Sequence, residues 1–141
     1  MVRARPAAPE DASEVARLRE RAADEARSKR GGLRLVDAAD PDTDTDTDTD
    51  YIVVGTIGDA VVGYAAIARR QGLASLGELF TEPEARGVGV GDAMLRVAEA
   101  LAGQWGCAAI ESVALPGDRD TKNFFEAHGM VSRLLLVSRT L

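Results

Sequence analysis

The stretch ELFTEPEARGVGVGDAML, residues 78–95, joins a predicted strand to a predicted helix through three closely spaced glycines. Glycine lets the backbone turn tightly and approach a ligand without interference from a Cβ atom. The backbone N–H groups at a helix N-terminus point the same way, and the helix dipole adds positive potential there. The turn Arg86–Gly91 therefore predicts a site for a phosphate group at the start of this helix.

Two common phosphate-binding motifs do not fit this turn. A Walker loop places Lys and then Ser or Thr after its last glycine, whereas Gly91 is followed here by Asp92. A dinucleotide-binding fingerprint needs Gly or Ala at its sixth position, which is Asp92 or Met94 here, depending on the glycine that begins the count. Glu111 lies at a suitable distance for a ribose contact, but the glycine spacing excludes this motif. A glycine-rich connection without a ligand is the structural alternative.

Hydrophobic periodicity extends the prediction to both sides of the turn. Strands are predicted at 2–6, 51–57, 60–68, 72–81, 108–115 and in the 130–141 region, and helices at 9–29, 92–104 and 119–128. Residues 33–39 hold either a short further helix or nothing regular. Turns are predicted at Gly58-Asp59 and near Gln71-Gly72. This order gives antiparallel strands first and parallel crossovers later, which predicts a mixed sheet with helices on both faces.

The net charge of −6 comes from one segment of the 141-residue chain, because residues 37–50 contain seven Asp and no basic residue. Without them the balance is 17 basic to 16 acidic residues. A nucleic-acid partner is therefore disfavoured, since no basic face is evident. The repeat DTDTDTDTD at 42–50 has no apolar face, which predicts a mobile loop at 40–50. It lacks the Gly and Glu positions of an EF-hand calcium loop, so we expect no metal.

Other features favour a cytoplasmic protein. Cys107 is the single cysteine and has no partner within the chain for a disulfide. We expect no signal peptide and no membrane span, because no basic start precedes an apolar run and no run reaches about 18 apolar residues.

The turn and its surroundings resemble the GNAT superfamily of acyl-CoA N-acyltransferases. Arg86, Gly89 and Gly91 match the Q/R-x-x-G-x-G/A loop of that family position by position, and NFFEAHGM at 123–130 resembles the end of its last helix. The resemblance follows the element order over residues 2–141 and is strongest over 76–130. It implies an α/β (mixed α+β) fold with a central sheet of six to seven strands, an antiparallel N-terminal half and a splayed parallel pair. It also implies one domain over residues 1–141.

The resemblance further implies acetyl-CoA as co-substrate and assigns residues to it. Pantetheine and the acyl carbonyl would lie along Leu79, Phe80 and Thr81. The cofactor's other contacts would be Arg86, Gly87, Val88, Gly89, Val90, Gly91 and Asp92 around the pyrophosphate, and Asn123 and Phe125 on the last helix.

Direct attack of an amine on the thioester requires that the amine lose a proton, so a carboxylate or a water ordered by one is expected as base. Glu78 is the first candidate, because it lies beside the acyl position and strand alternation places it opposite Leu79. Glu111 is the second, and either could equally be a surface carboxylate. Many family members carry a Tyr, the proton donor to the thiolate, where this chain has Phe125, and Phe has no proton to give. His128 is expected to be a helix C-terminal residue favoured by the dipole, with a proton shuttle as the alternative.

These features favour an N-acetyltransferase that acts on a primary amine of a small molecule or protein. A non-catalytic acyl-CoA-binding sensor or regulatory module is the alternative, and Phe125 supports it. The acidic segment favours a cationic acceptor, with a tolerated repeat expansion as the simpler explanation. Residues 130–141 lack turn residues, so we expect one strand in place of the usual final pair, or two short strands with a bend near Ser132-Arg133. A missing strand would leave an edge of the sheet open. The open sheet edge would favour a homodimer, which solution scattering can test.

Overall fold

The computed structural model describes residues 1–28, 51–113 and 119–133, together with Val137 and Arg139. Its elements are β1 (Val2–Pro6), α1 (Ala12–Arg27), β2 (Tyr51–Ile57), β3 (Ala60–Arg70), β4 (Leu73–Thr81), α2 (Val90–Gln104), β5 (Ile110–Ser112) and α3 (Arg119–Ala127). Short 3₁₀ turns at Pro9–Asp11 and Pro83–Ala85 lead into α1 and away from β4. Within these ranges, no helix combines the length and the apolar character that crossing a membrane requires.

The strands form one sheet in the order β1-β2-β3-β4-β5. The first four strands pair antiparallel, and β5 pairs parallel to β4. The predicted mixed sheet is therefore confirmed. Two hairpin turns lie where the glycines predicted them, at Gly58-Asp59 and at Gln71-Gly72. In the second turn both residues have positive φ, 50° and 78°, which suits the right-handed twist of the flanking strands.

Helices cover both faces of the sheet, because neighbouring residues on each strand face opposite sides. On one face α1 closes a cluster formed by Val15, Leu18, Val54, Tyr64 and Phe80. On the other face α2 and Phe125 of α3 close a second, larger cluster that contains Val53, Ala65, Ile67, Ala74, Leu76, Val90, Met94, Leu95, Ala98 and Ala102. The strand that precedes the glycine turn thus contributes side chains to both layers.

Asp11 fixes the passage from β1 into α1. Its carboxylate accepts hydrogen bonds from the Arg5 guanidinium at 2.6 and 3.1 Å and from the Ala8 backbone N–H at 2.7 Å. These bonds, that of Arg5 first, hold the pKa of Asp11 below its ordinary value. The proline and the acids predicted to begin this helix form a 3₁₀ turn that leads into it, and α1 itself begins three residues later, at Ala12.

Several boundaries differ from the prediction. The described sheet has five strands, fewer than the expected six to seven. Of the strand expected at 108–115, the described residues form Ile110–Ser112, because Val113 leaves the sheet and is 70% exposed. Residues 114–115 lie outside the described part of the chain. Residues 130–133, expected to begin a final strand, are not in a strand. The expected further helix at 33–39 and the acidic loop at 40–50 lie outside the described residues, as do parts of the expected final strand.

Candidate active site

The strands β4 and β5 separate halfway along β4. They pair over three positions, and the last pair joins Leu76 to Ser112. The Ser112 hydroxyl donates a 2.7 Å hydrogen bond to the Leu76 carbonyl at this end. The next residue, Gly77, bulges out of the antiparallel ladder between β3 and β4. Beyond it, residues 78–81 pair with β3 but not with β5, so among the described residues no strand lies along this backbone edge of β4, which we call the open edge.

The glycine turn follows directly from this open edge. Gly87 and Gly89 have φ values of 83° and 97°, in the region that only glycine adopts without strain. A Cβ atom at either residue would meet no atom within 4 Å, so both face open space. Gly89 is the N-cap of α2. The first hydrogen bond of the helix runs from the Ala93 N–H to the Gly89 carbonyl at 3.0 Å. The backbone N–H groups of residues 90–92 precede that bond and are the donors that suit a phosphate.

Two glycines of the sheet bring the start of α2 close to the strands. Gly55 and Gly63 are cross-strand partners on β2 and β3. A Cβ on Gly55 would lie 2.5 Å from Val90, and a Cβ on Gly63 would lie 3.0 Å from Met94 and 2.8 Å from the Phe80 carbonyl. The first turn of α2 therefore rests on bare backbone. Their role was not evident in the sequence, because it depends on which strands become neighbours.

A set of ion pairs holds α1 along the segment that leads into the turn. The pairs are Arg17–Glu82 at 2.5 Å, Arg21–Glu84 at 3.0 Å and Glu25–Arg86 at 2.7 Å. The residues that α1 contributes to these pairs, Arg17, Arg21 and Glu25, are spaced four positions apart and so lie on one side of the helix. Each exposed pair contributes little by itself, but together they define where the segment lies.

The Arg86 side chain lies toward α1. Its Nε donates a 2.8 Å hydrogen bond to the Thr81 carbonyl, its Nη2 contacts Glu25, and its guanidinium lies 5.5 Å from the centre of the Phe80 ring. These contacts tie the turn to the end of β4 and to α1. The side chain is thus engaged by the protein, and the backbone of the turn is the part that faces open space.

A family model described as "Acetyltransferase (GNAT) family" matches residues 15–130, which include most of α1, the open edge of β4, the glycine turn and α3. The chain belongs to the GNAT acetyltransferase family. Its co-substrate is accordingly acetyl-CoA, and it is an acetyl-CoA-dependent N-acetyltransferase. No protein with a curated function matches the chain in sequence.

Solved structures share the fold. The tetramutant of BH1408 from Bacillus halodurans matches with a TM-score of 0.75 and 18% identity, over 98% of this chain and 99% of that chain. A transcriptional regulator from Bacillus halodurans C-125 matches with a TM-score of 0.70 and 18% identity, over 100% of both chains. AAC(6')-Iy in complex with a bisubstrate analog, CoA-S-monomethyl-acetylneamine, matches with a TM-score of 0.71 and 15% identity, over 100% of this chain and 99% of that chain. Likeness at this level of identity supports the GNAT fold alone.

Glu78, the first candidate base of this GNAT protein, lies directly after the bulge. It faces α1, whereas Leu79 packs in the cluster under α2, so the expected opposite orientation is confirmed. The Glu78 carboxylate accepts two hydrogen bonds from Arg19 on α1, at 3.0 and 2.8 Å, and both reach Oε2. The side chain of Glu78 is 42% exposed. An accessible carboxylate therefore lies where the open edge of β4 begins, held by an arginine that the sequence pattern did not indicate.

Tyr64 lies beneath this ion pair. It is fully buried on β3, and the Arg19 guanidinium lies 5.7 Å from the centre of its ring. Its hydroxyl lies close to Glu78 and Arg19, but among the described residues no group meets it in good hydrogen-bond geometry. Burial first, and the charge of Glu78 second, raise the pKa of Tyr64 above its ordinary value. The group therefore stays protonated at neutral pH.

Glu111, the second candidate base, lies on β5 and is exposed. It pairs with Ser75, three residues before Glu78 on β4. The strand rise of about 3.3 Å per residue places Glu111 away from the open edge of β4 along the sheet. The structure therefore does not bring the two candidates to one point.

The predicted side chains of α3 have different surroundings. Asn123 is exposed, whereas Phe125 is 8% exposed and belongs to the cluster under α2. Phe124 places its ring edge 3.3 Å from the position of a Cβ on Gly91, so α3 touches the second residue of α2. The apolar ring at 125 offers no proton from this helix.

Asp92 is the third residue of α2, and its charge is paired. Its Oδ1 lies 2.7 Å from Nε2 of His128, and its Oδ2 lies 3.1 Å from Nε of Arg96. These contacts, that of His128 first, lower the pKa of Asp92. Among the described residues, no group of three or more His, Cys, Asp and Glu could hold a metal ion.

Proposed function

We propose that this acetyltransferase transfers an acetyl group from acetyl-CoA to a primary amine of a small molecule or protein by direct attack, with Glu78, or a water ordered by it, as base. The observation that carries the proposal is the convergence of three features at one place. They are the open edge of β4, the glycine turn that follows it, and the accessible Glu78 carboxylate at the bulge.

In this proposal acetyl-CoA lies along β4 and the glycine turn that follows it. Pyrophosphate is bound by the backbone N–H groups of the turn and of residues 90–92, because those donors precede the helical hydrogen bonds. Pantetheine lies along Leu79, Phe80 and Thr81 and uses the unpaired backbone edge. Because Phe80 is buried and the Leu79 side chain packs under α2, these residues offer mainly backbone groups. Arg86 supports the turn through Glu25 and the Thr81 carbonyl.

The chemistry needs one base and one proton. Glu78 accepts a proton as the amine nitrogen attacks the thioester carbonyl, the new C–N bond forms, and the C–S bond breaks. The Arg19 side chain contacts Oε2 and orients the carboxylate. The thiolate that leaves takes its proton from water, because the ring of Phe125 has none to give.

A cationic acceptor is the proposed substrate class. The related structure of AAC(6')-Iy contains an acetylneamine analog, and the acidic stretch at 37–50 adds seven carboxylates to the chain. Negative charge raises the local concentration of polyamines and aminoglycosides. If deletion of residues 42–50 left the turnover of every acceptor unchanged, this part of the proposal would be wrong.

A screen of amine acceptors with acetyl-CoA, measuring the release of free thiol, tests the function. At least one amine should be acetylated by the wild type. The variant Glu78→Gln should lower kcat by about 100-fold or more, which is typical of the loss of a general base. Glu14→Gln is the matched control, because it removes a carboxylate that also pairs with an arginine of α1, at 2.9 Å, on an exposed surface. Full activity of Glu78→Gln would remove Glu78 from the mechanism.

A non-catalytic acyl-CoA-binding module is the alternative that the apolar Phe125, at the position of the expected proton donor, would favour, and the match to an acetyltransferase family weighs against it. The same screen separates the two. Acetyl-CoA that binds but is not consumed with any amine would support the module, whereas thiol release that depends on the amine supports the enzyme.

A further inference from the structure

His128 joins the end of α3 to the start of α2. Its Nδ1 lies 2.7 Å from the Phe124 carbonyl, and its Nε2 lies 2.7 Å from Oδ1 of Asp92. Both oxygens act only as acceptors, so both ring nitrogens must donate. Only the imidazolium cation can do so, and the geometry therefore places a positive charge beside the first turn of α2.

The position of Asp92 makes this charge important. Asp92 belongs to the first turn of α2, where the backbone N–H groups of residues 90–92 face the proposed pyrophosphate. An unpaired carboxylate here would repel the phosphates and cancel part of the helix dipole. The second partner of Asp92, Arg96, is 76% exposed and is therefore screened by solvent, whereas His128 is 25% exposed.

We propose that His128 is a positioning residue of the acetyl-CoA site. Its imidazolium compensates the negative charge of Asp92, so that pyrophosphate can bind beside this carboxylate. The inference rests on the proposed placement of pyrophosphate at the glycine turn. His128 supports cofactor binding through Asp92 without touching the cofactor. Phe124 strengthens the connection, because its carbonyl accepts from His128 while its ring packs on Gly91.

The charged groups around His128 support the cationic state. Asp92 and Glu99 face it from α2, with Arg96 on the far side of Asp92, and Phe124 stacks at 4.4 Å between ring centres. On its own helix, Lys122 and Glu126 form a separate exposed pair at 3.6 Å. The Phe124 carbonyl first, and Asp92 second, raise the pKa of His128 above its ordinary value of 6.5.

Calorimetric titration with acetyl-CoA tests the role of His128. The variant His128→Asn should weaken binding by about fivefold to tenfold, the size expected for one uncompensated charge near phosphates at a protein surface. The double variant Asp92→Asn/His128→Asn should return the affinity to within about twofold of the wild type, because the two substitutions are coupled. Lys122→Gln is the matched control. It removes a positive charge from the same helix and should leave affinity unchanged.

The pH dependence supplies a second readout. The affinity of the wild type for acetyl-CoA should fall as pH rises through the raised pKa of His128, because the imidazolium loses its charge. The affinity of His128→Asn should not show this fall. Ionisation of the cofactor phosphates is common to all variants and cancels in the comparison. Acetyl-pantetheine, which has no phosphate, should bind the wild type and His128→Asn equally.

The outcomes separate this inference from the proposed function. Equal acetyl-CoA affinity of the wild type and His128→Asn would overturn the inference alone. So would a double variant that binds as weakly as His128→Asn, since that would indicate a packing role for the ring. If the wild type bound acetyl-pantetheine as tightly as acetyl-CoA, the phosphates would contribute nothing to affinity. That result would overturn both the inference and the proposed pyrophosphate site.

Discussion

Tyr64 lies under the candidate site and combines a well-packed ring with a buried hydroxyl. Among the described residues, its hydroxyl is the buried side-chain polar atom with no hydrogen-bond partner. The ring itself is well placed, since it packs with Val54 and Phe80 and lies under the Arg19 guanidinium. The hydroxyl therefore loses its contact with water and receives no hydrogen bond from the described part of the protein in return.

Removing this hydroxyl should stabilise the protein. Tyr64→Phe keeps the ring and should raise the free energy of unfolding by about 1 kcal/mol, measured by urea denaturation, because a buried unsatisfied group costs about that much. Tyr64→Leu is the comparison variant, and its loss of ring packing should destabilise the chain. A clear loss of stability in Tyr64→Phe would show that the hydroxyl has a partner in solution.

At the scale of elements, the packing of α2 on two glycines fixes the position of the proposed anion site. Gly55 and Gly63 leave no side chain between β2, β3 and the first turn of α2. Val90 and Met94 occupy the space that Cβ atoms would fill. The helix N-terminus is consequently held against rigid strands rather than presented by a free loop, as an anion site requires.

Gly63→Ala should disturb this packing. The added Cβ would lie 2.8 Å from the Phe80 carbonyl, which is backbone and cannot rotate away. We expect a loss of about 1–3 kcal/mol in unfolding free energy, as for other overpacked cores, and weaker acetyl-CoA binding.

Gly103→Ala is the matched control, since Gly103 lies on α2, the helix that packs on Gly63, and a Cβ there meets nothing within 4 Å. It should stabilise α2 by about 0.5–1 kcal/mol through helix propensity. Equal behaviour of the two variants would contradict the close approach at Gly63.

Local signals predicted the elements well. The turn glycines, the Pro9–Asp11 helix start and the apolar stripe of α2 each act within a few residues, and all were recovered within about three residues of their predicted bounds. The strand 108–115 was predicted too long, because propensity does not show where pairing with β4 ends. The pairing ends at Ser112, where the two strands separate.

At the scale of the whole molecule, the candidate site depends on contacts between distant parts of the sequence. Arg19 and Glu78 are 59 positions apart, and Asp92 and His128 are 36 apart. The glycine motif and Glu78 could be recognised in the sequence through the GNAT resemblance. Their partners could not, because an exposed Arg on a helix and a His near a helix end have many ordinary roles.

The central claim is that acetyl-CoA binds with its pyrophosphate at the glycine turn and its pantetheine along β4. Backbone amide NMR of the uniformly labelled wild type, titrated with acetyl-CoA, tests this without any substitution. The account predicts that the largest shifts occur at Gly87, Gly89 and residues 90–92, with further shifts along 78–81, and that acetyl-pantetheine shifts only the latter. Saturating acetyl-CoA that leaves the amides of the turn unshifted would contradict it.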